Sequence, residues 1–561
     1  MKKSVKLIVV SAITLVLAAV FFYISLPALN VHNQDFWSFL IFVGVIWMGL
    51  YFVLSLKDAE SMFKPGKRGK KVVPVKGSPI KWAIIAILIP IAVLAVGNVI
   101  SSTFFHAEAY SNIIEVEEAV FDEDMPENDV VSNIALMDSS SAAILGKRAL
   151  GELANADLVS QFQIGDTYSQ INLANAPAKV GNLEYADFFR WFNNRQNGVP
   201  GYVWVDPVDS NYKYVTFEKP IKYVDSAYFS EDLTRKLRFS YPTKIFGSIN
   251  FEVDEEGNPF YIVSCMEPQI GLFGAMDVTE AVIFNPVDGS SELYAVEDVP
   301  AWVDNVFDGY LASQKYDWYG TLKQGFWNSV IGKKDCKVTT DDFGYIVRDD
   351  DVWYFTGVTS VSSDESNIGF ILTNARTGKY KFYQVTGAEE YSAMRAAEGE
   401  VQEKGYVASF PSLINVSGNA TYIMVLKDSG GIVKLIALVN VENYSIVATG
   451  STQQEAKEKY HELLVQNGLA DKKEPAEAPQ EPLETVEVDV TVSDVNYVTL
   501  DGNTVIYLRG EDGKLYRKSI VEDESVMLIC AGDKLHLTCT ETENERILQM
   551  VSWEYQAAQE S

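Results

Sequence analysis

The sequence predicts a membrane-anchored α+β protein: three N-terminal transmembrane helices, a series of small antiparallel sheet-plus-helix modules, and a small C-terminal β-barrel. Three observations predict it. Long apolar runs crowd the first 105 residues, one short hairpin pattern recurs between residues 202 and 450, and beyond a proline-rich stretch the chain is strand after strand. At 561 residues, 47% hydrophobic and 22% charged, the chain has the composition of several folded units.

The apolar runs are Leu7–Leu26, Phe36–Leu56 and Trp82–Phe105, of 20, 21 and 24 residues. Each is long enough to cross roughly 30 Å of hydrocarbon as a helix. Pro90 interrupts the third, which a membrane helix tolerates better than a soluble one. The loop at residues 57–81 carries eight basic residues, whereas the "PALNVHNQD" connection has none. The positive-inside rule therefore expects a cytoplasmic N-terminus and everything after about residue 105 outside the cell. The first run is long for a signal peptide and no A-x-A site follows it, so it is expected to remain attached. Within the basic loop, Lys64, Lys67, Arg68, Lys70 and Lys71 are the candidate topology and anionic-lipid contacts.

Charge is partitioned along the chain. The first 105 residues hold 11 Lys and Arg against three acids, leaving 35 basic and 73 acidic residues for the remainder. Such an anionic bulk repels phosphate backbones, so no nucleic-acid partner is expected. Residues 106–132 ("HAEAYSNIIEVEEAVFDEDMPENDVVS") are expected to form an acidic spacer between lipid and the modules. A helix follows, with Asp138 or a neighbouring serine as its cap. In "LEYADFFRWFNNRQNG", Tyr185, Phe188, Phe189 and Phe192 recur at helical spacing, which predicts one aromatic face packed into the core.

Residues 133–468 are expected to hold the modules. "YVWVDPVDSNYKYV", "VIFNPVDGSSELYAV", "FILTNARTGKYKFYQV" and "IALVNVENYSIVATG" place Asp206, Asn285, Asn374 and Asn440 just after a first strand. Asp and Asn close such turns through their own downstream backbone, and Gly289 or Gly378 supplies a positive φ. Helices are expected after three of the four, in "VPAWVDNVF", "AEEYSAMRAAEGEVQEKG" and "STQQEAKEKYHELLVQNG". The last carries a capping box, Ser451 or Thr452 with Glu455, and stops at Asn467-Gly468. Gaps of 79, 89 and 66 residues between the turns exclude a regular solenoid. The strand–turn–strand–helix pattern, clearest in "NARTGKYKFY", resembles the PepSY family of extracytoplasmic modules. That resemblance implies export, association with envelope proteins and, in some members, regulation of peptidases; it brings no catalytic residues with it.

Residues 469–484, with Pro475, Pro479 and Pro482, read as a stiff charged linker. The tail at 485–556 resembles an OB-fold in length and strand count. Residues 484–554 hold 15 acids and six basic residues, the wrong sign for single-stranded nucleic acid. Cys530 and Cys539 each alternate with apolar neighbours, which predicts buried free thiols rather than a disulfide.

Chemistry is sparse. The chain lacks GxSxG, HExxH, Walker A and Cys/His metal spacing, so no catalytic residue, cofactor or metal ligand is assigned. His461 is expected on a solvated helix face, His536 pointing out of the barrel, and Asp349, Asp350 and Asp351 in a solvated turn rather than a calcium loop. The expected function is non-enzymatic: a bacterial plasma-membrane protein whose exported region binds, scaffolds or regulates envelope or membrane proteins. An envelope hydrolase with a site between modules, and a structural subunit of an export or conjugation apparatus, are the alternatives.

Overall fold

The structure is a computed structural model. It describes residues 3–62, 79–125, 136–137, 139–152, 156–165, 168–173, 176–208, 211–340, 342–348, 350–361, 363–471, 485–500, 503–519, 523–541 and 546–555. The five basic loop residues Lys64, Lys67, Arg68, Lys70 and Lys71 lie outside the described residues. The chain divides into two compact units, residues 1–470 and 471–561.

Three helices begin the first unit: α1 (Lys3–Ser25), α2 (Gln34–Met62) and α3 (Pro79–Ile100). They contain apolar spans of 22, 22 and 20 residues, long and apolar enough to cross a membrane. The third ends sooner than the apolar run suggests. Ser101 and Ser102 break it, and a separate helix α4 (Thr103–Ser111) carries the remaining Phe104 and Phe105. Phe21 stacks on Phe39 and Phe42 to join α1 to α2, and Gly44 lets Ile87 of α3 approach α2 where a side chain would collide. Lys6 Nζ reaches Ser55 Oγ at 2.6 Å and lies over the Tyr51 ring, which satisfies a cation near the other end of the helices.

Four antiparallel sheets follow, one of them extended by a parallel strand. The first holds strands Phe162–Ile164, Ser169–Leu173, Ala176–Tyr185, Val199–Val205 and Tyr212–Ile221; the second runs from Ile245 to Ala295 in four strands. The third has seven strands between Val116 and Ala388, and the fourth has five between Val407 and Gly450. All four expected hairpins are present, each bridging the last two long strands of one sheet. Their Asx residues act alike. The amide of Asp206, Asn285 and Asn374 donates to the carbonyl of Asn211, Ser290 and Lys379, five residues on, while Asn440 donates to Ile446, six on. Each side-chain oxygen also accepts a downstream amide: Val208, Val287, Arg376 and Asn443. Gly289 and Gly378 have φ of 78° and 68°, as the turn requires.

The helices agree less evenly. Helices form at Glu390–Glu400 and Gln453–Gln466, the latter capped by Thr452, with Glu455 reaching back to the Ser451 amide at 2.7 Å. "VPAWVDNVF" forms no α-helix. A single 3-10 turn at Val296–Asp298 gives way to loop, because the Asp304 and Asn305 amides donate to the Glu252 carboxylate instead of to a helical carbonyl. The helix comes later, at Gly309–Leu322, capped by Asp308.

The aromatic face is also rearranged. Tyr185 ends a strand, Asp187 caps a two-turn helix at Phe188–Asn194, and Trp191 enters the core in place of Phe189 and Phe192, which stay exposed. The capping of Asp187 sets the rotation: it fixes the helix start one residue before Phe188, so Phe188 and Trp191 share the inner side. Residues 106–125 depart from a spacer as well. Val116–Ala119 joins the third sheet beside Tyr380–Tyr383 in parallel, and a helical turn at Phe121–Asp124 packs behind it.

The second unit is a closed five-stranded barrel. Its strands are Thr485–Leu500, Asn503–Gly510, Leu515–Ser519, Lys534–Glu541 and Ile547–Tyr555; the first pairs with the second and fourth, and the third with the fifth in parallel. Val490, Ile506, Leu508, Tyr516, Leu535 and Leu537 fill it. His536 points outward, onto Asp489 at 2.7 Å. All four cysteines are free; Cys265, Cys336 and Cys539 are buried, but Cys530 is exposed because it lies in a loop rather than on a strand.

Candidate binding cleft and its buried acids

Where the first, second and third sheets meet, a polar network fills the junction. Glu252 and Asp304 are fully buried there. The Glu252 carboxylate accepts the Asp304 and Asn305 amides at 2.9 and 2.8 Å and the Asn305 side chain at 2.9 Å; Asp304 accepts the Asn172 amide at 2.7 Å. Asn305 donates onward to the Gln170 carbonyl. Burial pushes both pKa values up, and for Asp304 the neighbouring Glu252 carboxyl adds to the shift. The acidic turn closes the same junction. Asp350, with φ of 65°, accepts the Asn172 amide group, and Asp351 holds Arg376 through two bonds of 2.7 and 2.9 Å. Asp351 is therefore largely withdrawn from solvent, contrary to the sequence expectation, whereas Asp350 stays exposed as expected; Asp349 lies outside the described residues.

One other acid, Glu390, is fully buried, and Asp317 is half-buried. Glu390 takes the Gly357 amide at 2.5 Å, its Oε2 has no partner, and burial raises its pKa to about 7. Asp317 accepts the Thr339 amide and hydroxyl, and burial raises it to about 6. His461 is half-buried rather than solvated, with Nδ1 3.3 Å from Ser417 Oγ. Among the described residues no three His, Cys, Asp or Glu converge as a metal site.

The open site lies between the third and fourth sheets. A cleft of about 340 Å³ is lined by Asp308, Tyr310, Asp342, Phe343, Tyr345 and Phe410, with Gly344 and Ser412 on its walls. Local structure puts each residue there. Asp308 and Tyr310 open the helix Gly309–Leu322, and Gly344 and Tyr345 belong to strand Gly344–Arg348. Phe410 and Pro411 lead into strand Ser412–Val416. Among the described residues, each of these two strands has one partner strand in its sheet, Asp351–Ser360 and Asn419–Lys427 respectively, so the cleft is bordered by two outer strands. Tyr310, Phe343, Tyr345 and Tyr354 form a run of ring contacts at 5.1 to 5.9 Å. The aromatic floor suits apolar and cationic side chains, and the two aspartates add negative charge. Neither the paired junction acids nor Glu390 nor Asp317 lines it.

A second opening, of about 660 Å³, lies among α1, α2 and α3, with apolar walls that include Trp37, Trp47, Trp82 and Pro90. Sequence reasoning named none of the residues that line the cleft between the third and fourth sheets. The edge-strand glycine and the aromatics are scattered over 100 positions, and only the sheet topology gathers them.

No family model and no curated protein matches the chain. Among solved structures, a B. megaterium levansucrase variant is similar at 10% identity over 79% of this chain and 96% of that one, with a TM-score of 0.18. That score is too low to carry any inference on fold or function.

Proposed function

We propose that this is a bacterial plasma-membrane protein that holds a rigid extracytoplasmic binding and scaffold region over the bilayer and engages envelope or membrane proteins there. The N-terminus is cytoplasmic in this reading, and α1 to α3 are the anchor. The supporting observation is the acid- and aromatic-lined cleft between the outer strands of two sheets. Such a site fits an extended polypeptide segment that adds main-chain hydrogen bonds at an edge and places basic or aromatic side chains on the rings. The sheet-and-helix units support a PepSY-like reading of the modules, and the strand order of the barrel supports an OB-like one. The hydrolase alternative gains nothing from Glu252, Asp304, Glu390 and Asp317, which accept backbone amides away from the cleft.

A photo-crosslinking amino acid in place of Phe410 tests the binding role in living cells. It should yield an adduct with an envelope protein, reduced several-fold by joint Asp308→Asn and Asp342→Asn changes. Absence of any adduct at this position and at Tyr345 sinks the proposal. Orientation has a separate test, because Cys530 is the one exposed cysteine of the four. A membrane-impermeant maleimide should label intact cells at that thiol and spare Cys530→Ser. Labelling that appears only after lysis would reverse the topology.

A further inference from the structure

The anchor and the sheets of the first unit are packed together at one end of the helices. Leu29 donates to the Pro242 carbonyl at 2.8 Å, and Arg238 donates to the Leu26 carbonyl at 3.0 Å. The hairpin tip at Gly271–Phe273 seats its Leu272 and Phe273 amides on Ser101 Oγ, with Phe273 pressed against Gly97 so closely that a side chain there would clash. The lower side of the sheets is thus held at the level where α1 and α3 end.

Two exposed apolar patches lie on that side, each continuous with a helix end. Beside α1, Phe239 sits 6.2 and 6.4 Å from the rings of Phe22 and Tyr23. Tyr23 is two residues short of the end of its span, about 3 Å along the axis, so Phe239 stands at the depth of the last turn. Arg235 stacks on Tyr23 at 4.3 Å and donates to the Phe229 carbonyl at 2.7 Å. Phe229 in turn meets Trp191, next to Phe189 and Phe192. Phe189, Phe192, Phe229 and Phe239 are 70%, 49%, 57% and 58% exposed. Phe229 has φ of 57°, a left-handed conformation costly for an aromatic residue, and it turns an apolar ring outward.

Beside α3, Phe104 contacts Phe326 and Trp327 at 5.1 and 5.9 Å. Trp327, Val330 and Ile331 are 64%, 53% and 73% exposed. Basic residues accompany both patches: Arg190, ion-paired with Asp187, and Arg195, over the Phe192 ring, in the first, and Lys333 and Lys334 in sequence after Ile331 in the second. Exposed rings mixed with cations at a span's end are the composition of a bilayer interface.

We infer that these two patches are feet, which sink Phe189, Phe229, Phe239, Trp327 and Ile331 into the headgroup and upper acyl region of the leaflet on the sheet side. The occupant is lipid, since the spans beside each patch are lipid-facing on this reading and an exposed ring of each patch, Phe239 or Trp327, packs on a ring near the end of the adjoining span. The feet fix the tilt of the sheets and the height of the cleft above the bilayer. This rests on the membrane anchoring proposed above.

Depth-dependent quenching tests it in the full chain with Cys530 changed to serine. A fluorophore is attached to Phe189→Cys, Ile331→Cys, Val16→Cys within α1, or Tyr444→Cys on the exposed turn of the fourth sheet. Each chain is reconstituted in phosphatidylcholine–phosphatidylglycerol vesicles carrying a nitroxide high on the acyl chain. Positions 189 and 331 should be quenched several-fold more than position 444. Quenching at 16 with none above the 444 level at 189 and 331 overturns the feet and leaves the anchor standing. Dyes at 189 and 331 that are shielded yet insensitive to the nitroxide also overturn them, in favour of a second copy or a protein partner. No quenching at 16 overturns the anchor and the feet together.

Discussion

Raising the pH from about 5 to about 8 should lower the melting temperature of the solubilised protein by several degrees, and Glu390→Gln should remove a large part of that loss. Glu390 is fully buried, one of its oxygens has no partner, and its pKa is raised from 4.5 to about 7. The proton belongs to the folded state. Stability from this group is therefore complete below the unfolded value near 4.5 and is lost as pH climbs through about 7. The full shift corresponds to at most about 3 kcal/mol. Asp317, raised to about 6, and the Glu252–Asp304 pair act in the same direction. Glutamine keeps the shape and an acceptor for the Gly357 amide while removing the charge. At pH 5 the variant should therefore melt near the parent, and at pH 8 above it. Intrinsic-fluorescence melts across this range decide the matter; a variant that melts lower than the parent at pH 8 would mean the carboxylate charge is compensated.

What the sequence reveals here follows the range of the interactions. The spans, the Asx turns and the box of Thr452 and Glu455 are set by neighbours within a few residues, and they emerge where periodicity and turn chemistry place them. Glu252 is different. Its partners are 52 and 53 residues away, and it is one acid among 76, so no local pattern separates it from a solvated one. The failed helix at "VPAWVDNVF" has that long-range cause, because Glu252 captures the amides a helix would need. The short helix at Phe188–Asn194 fails on a smaller scale: an i, i+3, i+4, i+7 pattern cannot tell Tyr185 on a strand from a first helical turn. The cleft is least legible, since its walls come from a helix start and two outer strands that meet only in three dimensions.

Asp124→Ala should cost about 2–4 kcal/mol and release the segment that follows the N-terminal helices, a large loss for one residue on a short turn. Arg348 grips Asp124 through two bonds of 2.8 and 2.9 Å, Lys381 Nζ lies 3.0 Å away, and the Tyr383 hydroxyl completes the set. With Arg348 as the leading cause, these donors hold the Asp124 carboxyl well below the usual carboxylate range. Its stabilisation is accordingly present above pH 3.8 and lost as pH falls through the lowered value, opposite in sense to that of Glu390. The side chain of Asp124 is 24% exposed, so the loss falls somewhat short of that for a wholly buried pair. The alanine also leaves two cations facing each other without the carboxylate between them. Among the described residues Val116–Ala119 pairs only with Tyr380–Tyr383, beside those cations, so its detachment should open residues 106–125 to limited proteolysis. Adding Arg348→Met to Asp124→Ala should recover part of the stability, because one of the uncompensated charges goes with it. A single-variant loss of no more than about 1 kcal/mol, the size of a surface ion pair, would show that the turn is held by Phe121 in the apolar core and not by its charge.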